Sequence, residues 1–164
     1  TGIKKIAKKQ NIKYIYIIEK FYSEDVHATK NELAAFFKSY YNKATSGKHL
    51  LIASGETPVN VKKKSGKGGR NQHLAAIMIE ELLDYNNFEF LAIASDGCDF
   101  LRNVHGAIIT NQSIKQIIKQ NVDYKNYIDS FNTFNLHKKL NTLITGELTG
   151  TNVNDFYLFY FNKI

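Results

Sequence analysis

At 164 residues, with 43% hydrophobic and 13% aromatic side chains, the chain carries enough apolar material for one domain with a proper core and too much for a disordered segment. The single cysteine, Cys98, excludes an internal disulfide framework and a CxxC metal site, and it fits a reducing, cytoplasmic setting. The 22 basic and 15 acidic residues leave a net charge of +7, but the lysines are spread over residues 4 to 9, 62 to 67, and 138 with 139, and no binding motif interleaves them with aromatics, so nucleic acid is not an expected partner.

Residues 2 to 9 read as a short basic helix, too charged for the apolar part of a signal peptide, and no later apolar run reaches membrane-spanning length. A first residue other than methionine suggests a processed product or a piece of something longer. Residues 13 to 18 (KYIYII) are β-branched and aromatic, as in a buried strand. Residues 19 to 27 are polar. Their Glu24, Asp25 and His27 have metal-ligand chemistry but read more simply as a solvated loop. Thr29 is the expected cap of a helix reaching about Tyr41, with Leu33, Phe36, Phe37 and Tyr40 on one face. Residues 50 to 53 and 57 to 62 read as short strands around Ser54-Gly55-Glu56, and Pro58 restricts the second to a sheet edge or a strand start.

Residues 65 to 83, SGKGGRNQHLAAIMIEELL, form the stretch around which the rest is organised. Gly66, Gly68 and Gly69 allow an anion to approach the main chain, and Asn71 is the expected cap of the helix that follows. That helix offers free N–H groups and the positive end of its dipole. Ala75, Ile79, Leu82 and Leu83 fall on one face and anchor its far end. A Walker A loop requires glycine at Val61 and Ser or Thr at Gly68, and a dinucleotide fingerprint requires glycine at Asn71, so neither motif is present. Arg70 is one of only two arginines, with Arg102, in a chain that otherwise uses lysine. Its planar fork suits a carboxylate or phosphate, and Lys67 stands beside it.

Residues 88 to 94 (FEFLAIA) make an apolar strand that ends in Ser95-Asp96-Gly97-Cys98-Asp99, where α/β sheets gather ligands. Asp96 and Asp99 have three open roles: holding magnesium, accepting a proton from a hydroxyl, or shaping an Asx turn. Cys98 reads as a packing residue, since no base stands near it in sequence. Residues 113 to 119 and 136 to 140 are helix candidates, with 121 to 135 aromatic and polar between them. Residues 142 to 145 and 156 to 161 read as strands. The turn from 146 to 155 is dense in hydroxyls, amides and glycines and serves equally to wrap an anion or to bond to itself. The expected architecture is α/β, a layered domain with a mixed β-sheet and packed helices, in one unit of residues 1–48 followed by 49–164.

Three blocks, in this order, resemble the MOFRL domain, the C-terminal part of class II glycerate kinases. The first is Gly55-Glu56-Thr57 leading to Gly66-Lys67-Gly68-Gly69-Arg70-Asn71-Gln72. The second is Ser95-Asp96-Gly97-Cys98-Asp99 with Gly106-Ala107. The third is Thr145-Gly146 with Thr149-Gly150-Thr151-Asn152-Val153-Asn154-Asp155. The resemblance implies ATP- and Mg2+-dependent phosphorylation of D-glycerate or a similar small hydroxy acid, usually at the 2-hydroxyl. It places the active site between this domain and a large N-terminal kinase domain, supplied in cis or trans, that these residues lack. On that reading the chain alone is inactive. Arg70 and Asp96 are the implied catalytic residues. Lys67, Gly68, Gly69, Asn71, Thr149, Asn152, Asn154 and Asp155 are the implied anion and substrate residues, and Asp96 with Asp99 the implied metal ligands. Relatives are often labelled hydroxypyruvate reductases, but no dinucleotide fingerprint supports hydride transfer here. The chain departs from the family pattern where it has Ser54, Lys64 and Phe100 for glycine, Pro58 for threonine, His73 for glutamate and Asn103 for aspartate. Such departures keep a second reading open, a stand-alone binding or interaction domain without catalysis.

Overall fold

The computed structural model describes residues 2–61 and 66–164. In chain order the elements are α1 (Gly2–Lys9), β1 (Tyr14–Tyr22), α2 (Val26–Lys43), β2 (Gly47–Gly55), α3 (Arg70–Ile77), α4 (Ile79–Leu82), β3 (Phe88–Ala94), β4 (Cys98–Asp99), β5 (Leu101–Arg102), β6 (Val104–Thr110), α5 (Asn111–Lys119), α6 (Tyr124–Asp129), α7 (Thr133–Leu140), β7 (Leu143–Thr145) and β8 (Asp155–Lys163). Six strands form a mixed sheet in the order β1-β2-β8-β3-β6-β7. Only β1 and β2 run parallel; the other neighbours are antiparallel. The α/β layered architecture expected from the sequence is the one observed.

The period of two along β8 shows how the layers are divided. Tyr157, Phe159 and Phe161 face the main core, while Leu158 and Tyr160 face the other side, where α1 packs Ala7 onto Leu50 and Ile52. On the main side Phe37 of α2 stacks on Phe159 at 4.8 Å. Burying a ring of that size contributes about 1.5–3 kcal/mol. Helix α3 lies deepest, touching β3, β6, α2 and α7, and every residue from 71 to 77 is buried. A helix with no wet face is a central strut, and its N-terminal end is therefore held in a fixed place relative to the sheet.

Several expectations are corrected. Strand β1 is an edge strand, half-buried to exposed along most of its length rather than buried, and it runs on to Tyr22 through a register shift between Ile17 and Phe21 that leaves Glu19 and Lys20 in solvent. Asp25, not Thr29, caps α2, accepting from the His27 amide at 2.9 Å; Thr29 sits in the first turn with its hydroxyl on the Glu24 carbonyl. Residues 57 to 61 form no strand, and Lys62 lies outside the described residues. The rod expected to run through Leu83 breaks at Met78 into α3 and α4, leaving Leu83 38% exposed beyond the break. The stretch expected to be irregular contains α6 and the start of α7. Among the described residues no helix is long and apolar enough to cross a membrane.

Candidate functional site

The glycine-rich loop delivers the chain to α3, but the free N–H groups at that helix tip already have an anion. The Asp99 side chain, only 2% exposed, accepts from the Asn71 amide and Asn71 Nδ2 through Oδ1 at 2.9 and 3.2 Å. Its Oδ2 accepts from the Gln72 amide and Gln72 Nε2 at 2.9 and 3.0 Å. The capping expected of Asn71 is thus done by a carboxylate 28 residues away, and Gly69 rather than Asn71 is the boundary residue. Burial pushes the Asp99 carboxyl up from the usual carboxylate range, and the four donors from Asn71 and Gln72 pull it back. Gly69 is required by this packing. A Cβ there would lie 2.2 Å from the Asp99 carbonyl oxygen and 2.4 Å from its Oδ2.

Arg70, at the first position of α3, is held from below by β8. Its Nε and Nη2 donate to Asp155 Oδ2 and Oδ1 at 2.6 and 3.0 Å in a two-point pair, while Glu56 stands 4.0 Å from Nη2. Asp155 is 1% exposed on its side chain and Arg70 41%, so one partner is buried and the other looks out. The pair raises the already high guanidinium pKa. On Asp155 burial acts upward and Arg70 acts downward, and the two short hydrogen bonds fit the ionised carboxylate at neutral pH. Two donor atoms of the fork are spoken for. Nη1 bonds to no described residue, leaving an oriented donor at the surface of a cleft.

That cleft, of about 710 Å³, is bounded at its polar end by Glu56, Gly68, Gly69, Arg70, Asp96 and Asn152. Asp96 Oδ1 accepts from the Cys98 amide at 2.9 Å, so the Asx turn among the readings of this residue is formed; the other oxygen bonds to no described residue. The turn after β7 is tied to the Asp96 turn at several points. The Thr149 hydroxyl donates to the Ser95 carbonyl at 2.6 Å, the Thr149 amide donates to the Asp96 carbonyl at 3.0 Å, and the Val153 amide donates to Ser95 Oγ at 2.8 Å. The two turns therefore move as one unit.

Of the residues expected at the site, Gly68, Gly69, Arg70, Asp96, Asp99 and Asn152 line the cleft. Lys67, Asn71, Thr149, Asn154 and Asp155 do not, and they act behind it or beside it. Asn71 and Asp155 hold neighbours in place, Thr149 fastens the two turns, and Asn154, at φ 73°, accepts at its carbonyl from the Ser95 amide. Lys67 is exposed, and its carbonyl accepts from the Phe134 amide. Asp99, with all its oxygens engaged at the helix tip, is turned away from the metal-ligand role. Among the described residues no cluster of three or more His, Cys, Asp or Glu has metal-binding geometry.

Of the far wall the sequence marked only Pro58, His73 and Phe100, as departures from the family pattern and not as site residues. His73 is 3% exposed, stacks on Phe131 at 5.1 Å and meets the His27 ring edge-on at 6.1 Å. Neither of its ring nitrogens has a hydrogen-bond partner among the described residues, and burial lowers its pKa to about 4. Phe131 and Thr133 also line the cleft, but they come from the stretch with no readable period. Behind them His137 is fully buried, with Nε2 at 2.8 Å from the Gln72 carbonyl and Nδ1 at 2.9 Å from the Thr142 hydroxyl. This assigns the proton to Nε2, and burial again lowers the pKa to about 4.

An α/β domain with paired glycine-bearing turns beside a buried-carboxylate helix tip defines the class of protein. The particular family follows from comparison: the chain matches the MOFRL family model over residues 49–155 and belongs to that family. A glycerate 2-kinase of Pyrococcus horikoshii is 29% identical over 109 residues, covering 66% of this chain and 24% of the relative. A glycerate kinase of Rattus norvegicus is 35% identical over 124 residues, covering 71% and 23%. The crystal structure of a Thermotoga maritima glycerate kinase superposes with a TM-score of 0.84 at 27% identity, over 96% of this chain and 38% of that one. The chain is a glycerate-kinase-like domain spanning about a quarter of the length of these curated relatives.

Proposed function

We propose that this domain supplies the acid-binding half of a glycerate kinase site, contributing to ATP-dependent phosphorylation of D-glycerate or a similar hydroxy acid at the 2-hydroxyl. A large N-terminal domain, in cis or in trans, supplies the rest, and the chain alone does not turn over. The observation that carries the reading is the Arg70 fork: Asp155 fixes its direction while Nη1 is left for a ligand at a cleft shared with Asp96 and Asn152. Phosphoryl transfer asks a protein mainly to position groups and neutralise developing charge. Asp155 already neutralises Arg70, and Glu56 and Asp96 leave the polar end of the cleft net negative, so a free acid gains nothing from charge alone, and the directed donor sets the selectivity.

Carboxylate oxygens suit Mg2+, which takes one or two of them together with phosphate oxygens. Asp96 and Glu56 would hold it here, and Asp99 would not, since its oxygens are used at the helix tip. When bound, the ion supplies neutralisation of phosphate charge. Arg70 then orients the carboxylate of the acid or the transferring phosphoryl group, and Asp96 orients the hydroxyl.

The test is co-expression of this chain with a separate large-domain chain, followed by turnover with ATP and glycerate, for Arg70 and for Arg70→Lys. A contact made in the transition state is worth about a thousandfold or more in rate. Near-normal turnover by Arg70→Lys defeats the proposed role of the fork. A complex that forms and never turns over favours the reading of a binding domain without catalysis.

A further inference from the structure

The two turns at the polar end of the cleft close on a side chain outside it, that of His105. Strand β6 carries a β-bulge there: Val104 pairs with Thr145 and Gly106 with Ile144, so His105 is the extra residue between consecutive pairs. An extra residue has no partner across the ladder, and such bulges re-aim a side chain, often beside an active site. The half-buried imidazole is aimed into the gap between the Asp96 turn and the turn after β7. Its Nε2 lies 3.0 Å from the Glu147 carbonyl oxygen. A carbonyl only accepts, so the proton sits on Nε2 and the imidazole donates. Each turn meets the ring with a glycine. A Cβ at Gly97 or at Gly146 would stand 3.0 Å from Nε2, closer than a packed carbon settles without displacing its neighbour.

From this arrangement we infer that His105 is a positioning residue for phosphoryl transfer. Its ring fills the gap between the two turns, its Nε2–H fixes their spacing, and through them it sets the free oxygen of Asp96 and the side chain of Asn152 relative to Arg70. The inference rests on the kinase reading. Thr149 and Val153 bond the turns to each other, whereas the imidazole ties them by a side chain to the sheet. Strand β6 pairs with β3, and β3 with β8, whose first residue, Asp155, holds Arg70. One sheet therefore carries both the wedge behind Asp96 and the carboxylate beneath Arg70. The distance from the group that orients the hydroxyl to the group that binds the acid is thus set by rigid structure. Loosening the wedge acts on Asp96, and so on the chemical step, while Arg70 keeps its own support.

Turnover by the complex with a separate large-domain chain and amide exchange in the 164-residue chain alone together test this. In the complex His105→Ala should lower kcat about a hundredfold, the cost of misplacing a group by about 1 Å. The KM for glycerate should stay within about threefold, because the interaction removed does not bind the acid. His105→Gln carries an N–H to a similar reach and should recover most of the loss; His105→Phe keeps a ring without the donor and should not. In the chain alone, hydrogen exchange at the Thr149 and Val153 amides should quicken in His105→Ala and slow again in His105→Gln. Near-normal kcat in a folded His105→Ala complex overturns the positioning role, and so does a loss that His105→Gln leaves unrepaired. Unchanged exchange at both amides in His105→Ala overturns the tie between the turns whatever the turnover. An unsubstituted complex that never turns over, with exchange responding as expected, removes the kinase reading and the catalytic role together and leaves only the tie.

Discussion

Asp99→Asn is the most direct probe of how the site is held. The substitution keeps the shape of the side chain and replaces one acceptor oxygen with an NH2 group. In one orientation that group faces the Gln72 amide and Nε2, in the other the Asn71 amide and Nδ2, so two hydrogen bonds to a charged acceptor are lost either way. Hydrogen bonds to charged groups are worth about 1.5–3 kcal/mol each. Removing a charge from a site that is 2% exposed returns part of that through a smaller desolvation cost. A net loss of about 2–4 kcal/mol follows, a large share of the 5–15 kcal/mol typical of a domain. Urea unfolding at pH 7, followed by circular dichroism, should show a lower midpoint at unchanged slope. Hydrogen exchange should quicken at the Asn71 and Gln72 amides before it does elsewhere in α3. A loss under about 1 kcal/mol, with those two amides as protected as before, would refute the view that Asp99 anchors this helix.

Gly69→Ala forces a methyl into the Asp99 backbone and carboxylate, and we expect a loss of about 3 kcal/mol or no folded protein; recovery of wild-type thermal stability would contradict the packing. Asp155→Asn releases the Arg70 fork at the cost of about 1–2 kcal/mol, the exposure of Arg70 limiting the loss, and glycerate affinity measured by calorimetry should fall with it. His73 and His137 stay neutral in the fold down to about pH 4, whereas in the unfolded chain they take up protons near 6.5. Between those values the unfolded state binds more protons, so stability falls as pH drops, by roughly 3 kcal/mol for each histidine. His73→Phe should remove about half of that fall and leave stability at pH 7 within about 1 kcal/mol. A urea midpoint that is flat from pH 7 to pH 4 in the unsubstituted chain would contradict the burial of both rings.

Elements whose own residues carry a clear pattern were legible in the sequence, even where, as in β3, the pairing partners are distant. The strand over residues 88 to 94 announces itself by a continuous apolar run and is observed with those bounds, and the start of α3, announced by glycines giving way to a helical pattern, falls two residues earlier, with Gly69 at the boundary in place of the expected cap Asn71. What escaped depends on distant partners. Nothing near Asn71 says that its amide is satisfied by Asp99, and nothing in residues 121 to 135 says that Phe131 stacks on a histidine 58 residues earlier in the chain, the difference between positions 131 and 73. Residues 57 to 61 are β-branched enough for a strand, yet the edge of the sheet beside β2 is taken by β1, and a strand without a neighbour does not persist. The same holds for the site. Arg70 is legible because a rare fork in a lysine-rich chain is conspicuous, whereas Asp155, expected to bind the ligand, is the carboxylate that holds the fork.

The placement of β8 carries a consequence for how the molecule assembles. It is wedged between β2 and β3, and its Tyr157 hydroxyl meets that of Thr57 across 100 residues of chain. Until that strand arrives, the two halves of the sheet have bare inner edges and Arg70 has no Asp155 beneath it. The order of synthesis thus delays the Arg70–Asp155 pair until β8 has emerged, and a ribosome stalled shortly before Asp155 would hold a sticky, open intermediate in need of a chaperone.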